Sequence, residues 1–306
     1  MSLKVIIPGA LSTIQDAGRH GYQALGFSPS GAADQRALRQ ANFLVGNNSG
    51  EAVVEMTLMG MAVQFASRCL IALTGADMQP HINGKPVDTY RTLEVESGDY
   101  LCCGIAKSGC RTYLSVSGGF DLPPVMGSLS TNLKCGIGGF DGRKLKSGDV
   151  IPFRKGDGSG LPEKRFSLVK PEYPSEISLR FVWGPQDDLF DEEAKLSFIS
   201  GSYRVQPASD RMGLRLEGCA LKASGGVDII SDGIALGSVQ IPANGQPIVL
   251  LADHQTTGGY AKIGTVISTD IPAAAQAIPG NTLKFIPVTV EQAQKIVAEE
   301  RGRETI

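Results

Sequence analysis

The sequence predicts a mainly-β protein with a few helices, and three observations carry that prediction. Short apolar runs punctuated by Gly, Pro, Asn and Asp recur along the whole chain, and 38 of the 306 residues are glycine. Strongly periodic helical stretches are scarce. A turn-to-strand unit also repeats. Ser97-Gly98-Asp99, Ser147-Gly148-Asp149 and Pro279-Gly280-Asn281 each lead into an apolar run, Tyr100-Leu101, Val150-Ile151 and Thr282-Leu283. A glycine that supplies positive φ, followed by Asp or Asn, turns the chain and feeds a strand. Its presence in both halves fits small barrels and a duplicated architecture.

A chain of 306 residues is better read as two medium domains than as one large one. The segment Gly156-Asp157-Gly158-Ser159-Gly160-Leu161-Pro162 is the best linker candidate. The division therefore falls near residue 160, with an N-terminal β domain over 1–160 and a C-terminal β domain over 161–306. Three helices are expected. Ala33 to Gly46 carries an apolar face at positions 37, 38, 41, 44 and 45, with Asp34 as N-cap and Gly46 as its stop. Val290 to Arg301 forms a second, capped by Thr289, and Asp187 to Ser197 a third.

Composition excludes several functional classes. Net charge is −2 with both signs mixed along the chain, which argues against a nucleic-acid or anionic-membrane partner held by electrostatics. No apolar run reaches the length of a membrane span, and the start MSLKVIIPG lacks the apolar core of a signal peptide, so a cytoplasmic location is expected. The six cysteines include no C-x-x-C pair and read as reduced, mostly buried thiols. With three histidines and none beside a cysteine cluster, no metal site is expected.

Self-contained catalytic signatures are missing. GIGGFD from Gly136 fails the dinucleotide fingerprint at its last glycine, and Gly84-Lys85 is followed by proline where a phosphate loop needs Ser or Thr. There is no H-E-x-x-H, G-x-S-x-G or calcium loop, and no biotin-attachment motif. Dense polar clusters remain. In TIQDAGRHGY, Asp16 and Arg19 are near enough in sequence to pair, most simply as an ion pair that holds a loop. Ser128, Ser130 and Thr131 group hydroxyls near Gly138-Gly139, as turn caps or as an anion site. If the chain around SDRMGLRLEG is extended, Arg211 and Arg215 share one face and suit a carboxylate or phosphate ligand. Trp183 reads as a core filler, and His254 as a plain loop histidine.

The densest cluster lies in Gly237–Ile267. Pro247 to Ala252 reads as a buried strand and Ile263 to Ile267 as its partner, joined by Asp253-His254-Gln255-Thr256-Thr257-Gly258-Gly259-Tyr260. A reversing turn needs fewer polar groups than this one carries. The adjacent glycines admit close approach of backbone N–H groups to a ligand. A self-satisfied hairpin loop and a ligand loop both remain open from the residues alone.

TIQDAGRHGY, SGAADQRALRQANFLVGN, ALTGAD, GDYLCCG, GSLST, GIGGFDGR, VWGPQDDLF, SDRMGLRLEG and GSVQIPANGQPIVLLADHQTTGGYAKI occur in order. Together they resemble the biotin-dependent carboxyltransferase family. That family includes the C component of 5-oxoprolinase, also called allophanate hydrolase subunit 2, and the Kip inhibitor antagonist. The resemblance runs from Leu3 to about Val288. It implies two cyclophilin-like β-barrel domains without prolyl isomerase activity. It also implies a partner, the B component or a Kip-inhibitor-like protein, and an ATP-dependent 5-oxoprolinase completed by an A component. ATP with magnesium in the complex, or carboxybiotin on a separate protein, would supply the activation.

By resemblance to urea carboxylase, the polar residue that contacts substrate falls near Gln240, although the chain departs from that enzyme over Gln240–Gly245 and Asp253–Gly259. Opening 5-oxoproline needs a cation for its carboxylate and donors for a developing oxyanion. The resulting expectation assigns Arg211 or Arg215 to the carboxylate, Gln240 to the lactam amide and Asp253 to the role of base or orienter. Gln255, Thr256, Thr257, Gly258 and Gly259 would line the activated oxygen, with Asp16, Arg19, Ser128, Ser130 and Thr131 as a secondary group. The alternatives are a regulatory protein that antagonises a Kip-type kinase inhibitor, and a carboxyltransferase acting on urea or another small amide.

Overall fold

A computed structural model describes residues 1–156 and 167–304 of the chain. It divides into two compact units, Met1–Tyr22 with Pro29–Tyr173, and Gln23–Ser28 with Pro174–Ile306. Most of the expected linker, Gly156 to Pro162, lies outside the described residues. The boundary at 173/174 lies later than residue 160 because the chain after residue 166 still bonds to the first unit. Leu168 N–H donates to the Tyr90 carbonyl at 2.8 Å, Lys170 pairs with Asp77 at 2.9 Å, and the Tyr173 and Tyr90 hydroxyls meet at 3.1 Å. A glycine-rich composition marks where the chain can bend; these contacts decide where a unit ends.

Among the described residues, the first unit holds eleven strands: β1 (Ser2–Ile7), β2 (Leu11–Gln15), β3 (Val53–Thr57), β4 (Ala62–Phe65), β5 (Cys69–Asp77), β6 (His81–Ile82), β7 (Lys85–Pro86), β8 (Leu93–Val95), β9 (Tyr100–Cys102), β10 (Ser108–Val116) and β11 (Val150–Pro152). They form two sheets, ordered β11-β1-β4-β9-β6-β7 and β2-β3-β10-β5-β8. Alternation turns Leu3, Val5, Val63 and Leu101 of the first sheet and Val54, Met56, Leu73 and Leu114 of the second into one shared apolar core. Helix α1 (Gln35–Leu44) lays Ala37, Leu38 and Ala41 against Val53 and Tyr113. Asp34 caps it as the sequence predicts, accepting from Ala37 N–H at 2.9 Å.

The second unit holds β12 (Glu176–Trp183), β13 (Tyr203–Val205), β14 (Gly213–Glu217), β15 (Asp228–Gly233), β16 (Ser238–Ile241), β17 (Ile248–Leu250), β18 (Thr257–Val266) and β19 (Thr282–Pro287). The sheet runs β12-β19-β13-β14-β17-β16-β18-β15, and β18 returns to pair with β12, which closes a seven-strand barrel with β15 outside the ring. β12 and β19 run parallel, whereas the other pairs are antiparallel. Phe181, Phe198, Tyr203 and Phe285 fill the interior, Phe198 stacking on Phe285 at 4.4 Å between centroids. Trp183 packs on this cluster from its edge, with the Lys195 ammonium 5.5 Å from its ring centroid. The remaining helices are α2 (Glu192–Ser200), α3 (Ile271–Ala275) and α4 (Val290–Glu304).

The architecture is thus mainly β with few helices, as the sequence implied, with two sheets around one core in the first unit and a closed seven-strand barrel in the second. Local signals translate faithfully. Gly98, Gly148 and Gly280 all sit at positive φ (95, 91 and 93°) immediately ahead of β9, β11 and β19. Thr289 accepts from Gln292 N–H while Gln292 accepts in turn from Thr289 N–H, a reciprocal cap on α4. The expected helix over Asp187–Ser197 instead splits into a single 3-10 turn (Asp187–Leu189) and α2, because Asp191 accepts from Ala194 N–H and starts a new helix.

One pairing differs from expectation. The strand predicted at Pro247–Ala252 (β17) and the one predicted at Ile263–Ile267 (β18) do not pair as a hairpin. β16 lies between them, antiparallel to both. β18 also begins earlier, so Thr257 to Tyr260 belong to a strand that pairs with β15 rather than to a turn.

Candidate functional site in the second unit

The chain between β17 and β18, residues 251–256, is held by a buried ion pair. Arg211 Nε and Nη2 donate to the two carboxylate oxygens of Asp253 at 2.8 and 3.1 Å, with side chains 5% and 11% exposed. Asp253 N–H also donates to the Arg211 carbonyl at 2.9 Å. A forked pair of this kind fixes geometry as well as charge. It corrects the expectation that Arg211 and Arg215 form one cationic face. Arg211 precedes β14 and turns inward, whereas Arg215 lies within it between inward-facing Leu214 and Leu216 and is exposed. Four-residue spacing gives a common face only where the strand covers both positions.

His254 is buried, at 4% exposure, not the plain surface residue its loop position suggested. Its Nδ1 lies 2.7 Å from the Gln255 carbonyl, which fixes Nδ1 as the protonated nitrogen of the neutral ring. Burial pushes the imidazole below its ordinary pKa, against the opposing pull of the Gln255 carbonyl and the Asp253 charge. The Ser28 hydroxyl donates to the His254 carbonyl at 2.6 Å, so this backbone is tied down from a second side.

Gln240 and Lys262 face each other directly across β16 and β18. Their neighbours Val239, Ile241, Ala261 and Ile263 all join the barrel core, so Gln240 and Lys262 share the opposite face. Both are buried, at 2% and 3% exposure. The Lys262 ammonium donates to Asp232 at 2.7 Å and to the Gly233 carbonyl at 3.0 Å. The hydrogen bond and charge of Lys262 hold the Asp232 carboxyl below its usual range. Gln240 Nε2 is buried without a hydrogen-bond partner. An orphaned amide donor costs about 1–3 kcal/mol, a burden relieved when a ligand oxygen arrives.

Gly258 is what allows the chain to pass close beside that donor. A Cβ there would lie 2.9 Å from Gln240 Nε2, 3.4 Å from Gln255 Nε2 and 2.7 Å from Ile234 Cδ1. Only a residue without a side chain lets the two amides converge at this point. Thr256 and Gly259 are half-buried alongside, and Thr257 is exposed. Of the expected residues, the structure brings Gln240, Gln255 and Gly258 together, pairs Arg211 with Asp253, and sets Arg215 outward. Lys262 and Asp232 were not anticipated. No local signal marked them: in Tyr260-Ala261-Lys262-Ile263 strand alternation sets the lysine on the face opposite Ala261 and Ile263 and says nothing of its burial. Two sizeable clefts involve other residues: one of about 700 Å³ beside Asp77, Tyr90 and Lys170, and one of about 770 Å³ along Val182, Ile271 and Val297.

In the first unit the secondary group forms a polar knot. The Asp16 carboxylate accepts from Gly18 N–H at 2.8 Å, Leu129 N–H at 2.6 Å, the Ser128 hydroxyl at 2.7 Å and the Ser130 hydroxyl. Arg19, fully buried, donates to the carbonyls of Val125 and Ser130 at 3.0 and 2.9 Å. Thr131 donates its hydroxyl to the Ile14 carbonyl at 3.0 Å. These bonds direct their donors to the chain itself, tying β2 to the loop from Val125 to Thr131. Among the described residues, no cluster of His, Cys, Asp or Glu suited to a metal ion occurs, and no helix is long and apolar enough to cross a membrane.

The carboxyltransferase domain family, subdomains A and B, matches residues 25–287. The chain is 40% identical to the C component of 5-oxoprolinase from Escherichia coli K12, over 96% of its own length and 93% of that protein's. It is 37% identical to the corresponding C component from Haemophilus influenzae, over 93% and 91% of the two chains. Among solved structures, K. lactis urea amidolyase superposes with a TM-score of 0.90 at 30% identity, over 98% of this chain. The chain spans only 19% of that larger protein. With a family match over most of its length and relatives aligned nearly end to end, the chain belongs to the carboxyltransferase domain family of subdomains A and B.

Proposed function

We propose that the chain is the C component of an ATP-dependent 5-oxoprolinase. It activates the lactam of 5-oxoproline together with a B-type partner, so that an A-type component opens the ring to glutamate. The observation that carries this reading is the nearly end-to-end alignment with a 5-oxoprolinase C component at 40% identity. The geometry supports it. Amide resonance resists ring opening, and a donor aimed at the lactam oxygen lowers that resistance as negative charge develops there. Gln240 Nε2 is such a donor, buried and without a partner beside Gly258. Asp253, bound in its fork with Arg211, acts as the orienter of the 251–256 segment.

ATP with magnesium supplies the activation in the assembled enzyme. The chain is inactive alone in this reading. A carboxyltransferase acting on urea or another small amide with carboxybiotin is the rival, favoured by the superposition on urea amidolyase. Reconstitution of the A, B and C components with 5-oxoproline and ATP separates them. Glutamate formation without a biotinylated protein is expected. A requirement for a biotinylated protein would favour the rival, and no turnover from well-folded components would favour a regulatory protein that antagonises a Kip-type inhibitor.

A further inference from the structure

We infer that Lys262 is the cation that receives the substrate's carboxylate, and that Asp232 holds the place of that carboxylate until substrate arrives. The inference rests on the 5-oxoproline reading and names how that substrate is told apart from a plain amide. The two arginines expected in this role are otherwise disposed. Arg211 is committed to both oxygens of Asp253, and Arg215 points outward into solvent. Lys262 differs in kind. Its ammonium is buried, yet the carboxylate it holds belongs to a side chain 54% exposed, on β15, the strand at the end of the sheet. A buried cation needs an anion close by. An anion on an exposed edge strand satisfies that need and can still withdraw into water.

The position of Lys262 completes the argument. Cross-strand registry sets it directly opposite Gln240, on the same face of the sheet. The pair therefore offers one ammonium and one unpartnered neutral amide donor side by side. 5-Oxoproline presents the matching acceptors: its carboxylate and its lactam carbonyl sit on the two carbons that flank the ring nitrogen. An amide without a carboxylate fills the Gln240 half alone and leaves Asp232 on Lys262. No bond is made or broken in the exchange; one carboxylate replaces another.

The test uses the reconstituted A–B–C enzyme, 5-oxoproline as substrate, and 2-pyrrolidinone, the same lactam without the carboxylate, as competitor. Lys262→Met should raise the KM for 5-oxoproline about tenfold to a hundredfold, the range for losing a hydrogen bond to a charged group, and leave inhibition by 2-pyrrolidinone nearly unchanged. Asp232→Asn keeps an oxygen beside Lys262 but removes the competing charge, so it should fold with a lowered melting temperature and lower the KM severalfold. Asp232→Asn decides the matter if Lys262→Met fails to fold. An unchanged KM in folded Lys262→Met, equal losses for both ligands, or a raised KM in Asp232→Asn would overturn the assignment. Absence of turnover by the wild-type complex would instead overturn the functional reading on which it rests.

Discussion

Gly258 and His254 show how much of the site depends on single atoms. The φ of Gly258 is not in the left-handed region, so alanine is tolerated by the backbone there, and the neighbours its methyl would meet are side-chain ends, Gln240 Nε2 and Ile234 Cδ1. Gly258→Ala should therefore fold with a melting temperature near wild type while displacing the Gln240 amide. Misplacing a positioned group by about 1 Å costs up to roughly a hundredfold in rate, and steady-state kinetics on the reconstituted enzyme would show the drop in kcat/KM. A normal kcat/KM would remove Gln240 from the chemistry. His254 sets a pH dependence. Its folded pKa lies below the ordinary histidine value because burial disfavours the cation. The unfolded chain thus takes up the proton first. The stability contribution is intact above the unfolded value and is lost as pH falls toward the depressed folded value. His254→Gln should flatten the fall in melting temperature below about pH 6.5; an unchanged slope would assign that fall to other groups.

At the scale of elements, local chemistry was legible and partner choice was not. Asp34 and Thr289 announce helix starts because a cap satisfies nearby N–H groups through a side chain three residues away at most. Gly98, Gly148 and Gly280 announce strand starts for a similarly local reason. The pairing of β17 and β18 depends on β16, which inserts between them from earlier in the chain, and no pattern within either strand records that. The same limit hid Lys262, whose meaning comes from Gln240 across the ladder and Asp232 on β15. Closure of the barrel turns on a comparable contact between elements. Gly264 of β18 lies against Phe181 of β12, where a Cβ would come within 2.5 Å of the ring. Phe181 is fully buried and in edge contact with Trp183, Phe198 and Phe285, so it has little room to yield. Gly264→Ala should cost about 1–3 kcal/mol through overpacking, measured by denaturant unfolding. A neutral result would mean that the β12–β18 seam is looser than its contacts imply.

Across the whole molecule, the two units differ in how their polar side chains are used. Both units bury polar atoms without a partner, Gln15 Oε1 in the first and Gln240 Nε2 in the second, but the Asp16 carboxylate of the first unit directs its oxygens to the chain itself, whereas Gln240 lies beside a buried lysine. Sequence alone placed the Asp16 cluster second, more simply a loop-holding group, and could go no further, because hydroxyls and carboxylates look the same whether they bind a ligand or a loop. Asp16 tests the distinction. Its carboxylate accepts from Gly18, Leu129, Ser128 and Ser130, so Asp16→Ala strands several donors in a tightly packed loop. The cost should be about 3 kcal/mol or more, a fall in melting temperature of roughly 6–12 °C for a unit of this size. Enzyme assembled with the folded fraction should keep wild-type KM and kcat, since this cluster serves the fold. A variant that melts normally yet abolishes turnover would show the opposite: that the Asp16 cluster belongs to the chemistry, and that the reacting groups of this chain are not confined to the Gln240–Lys262 face.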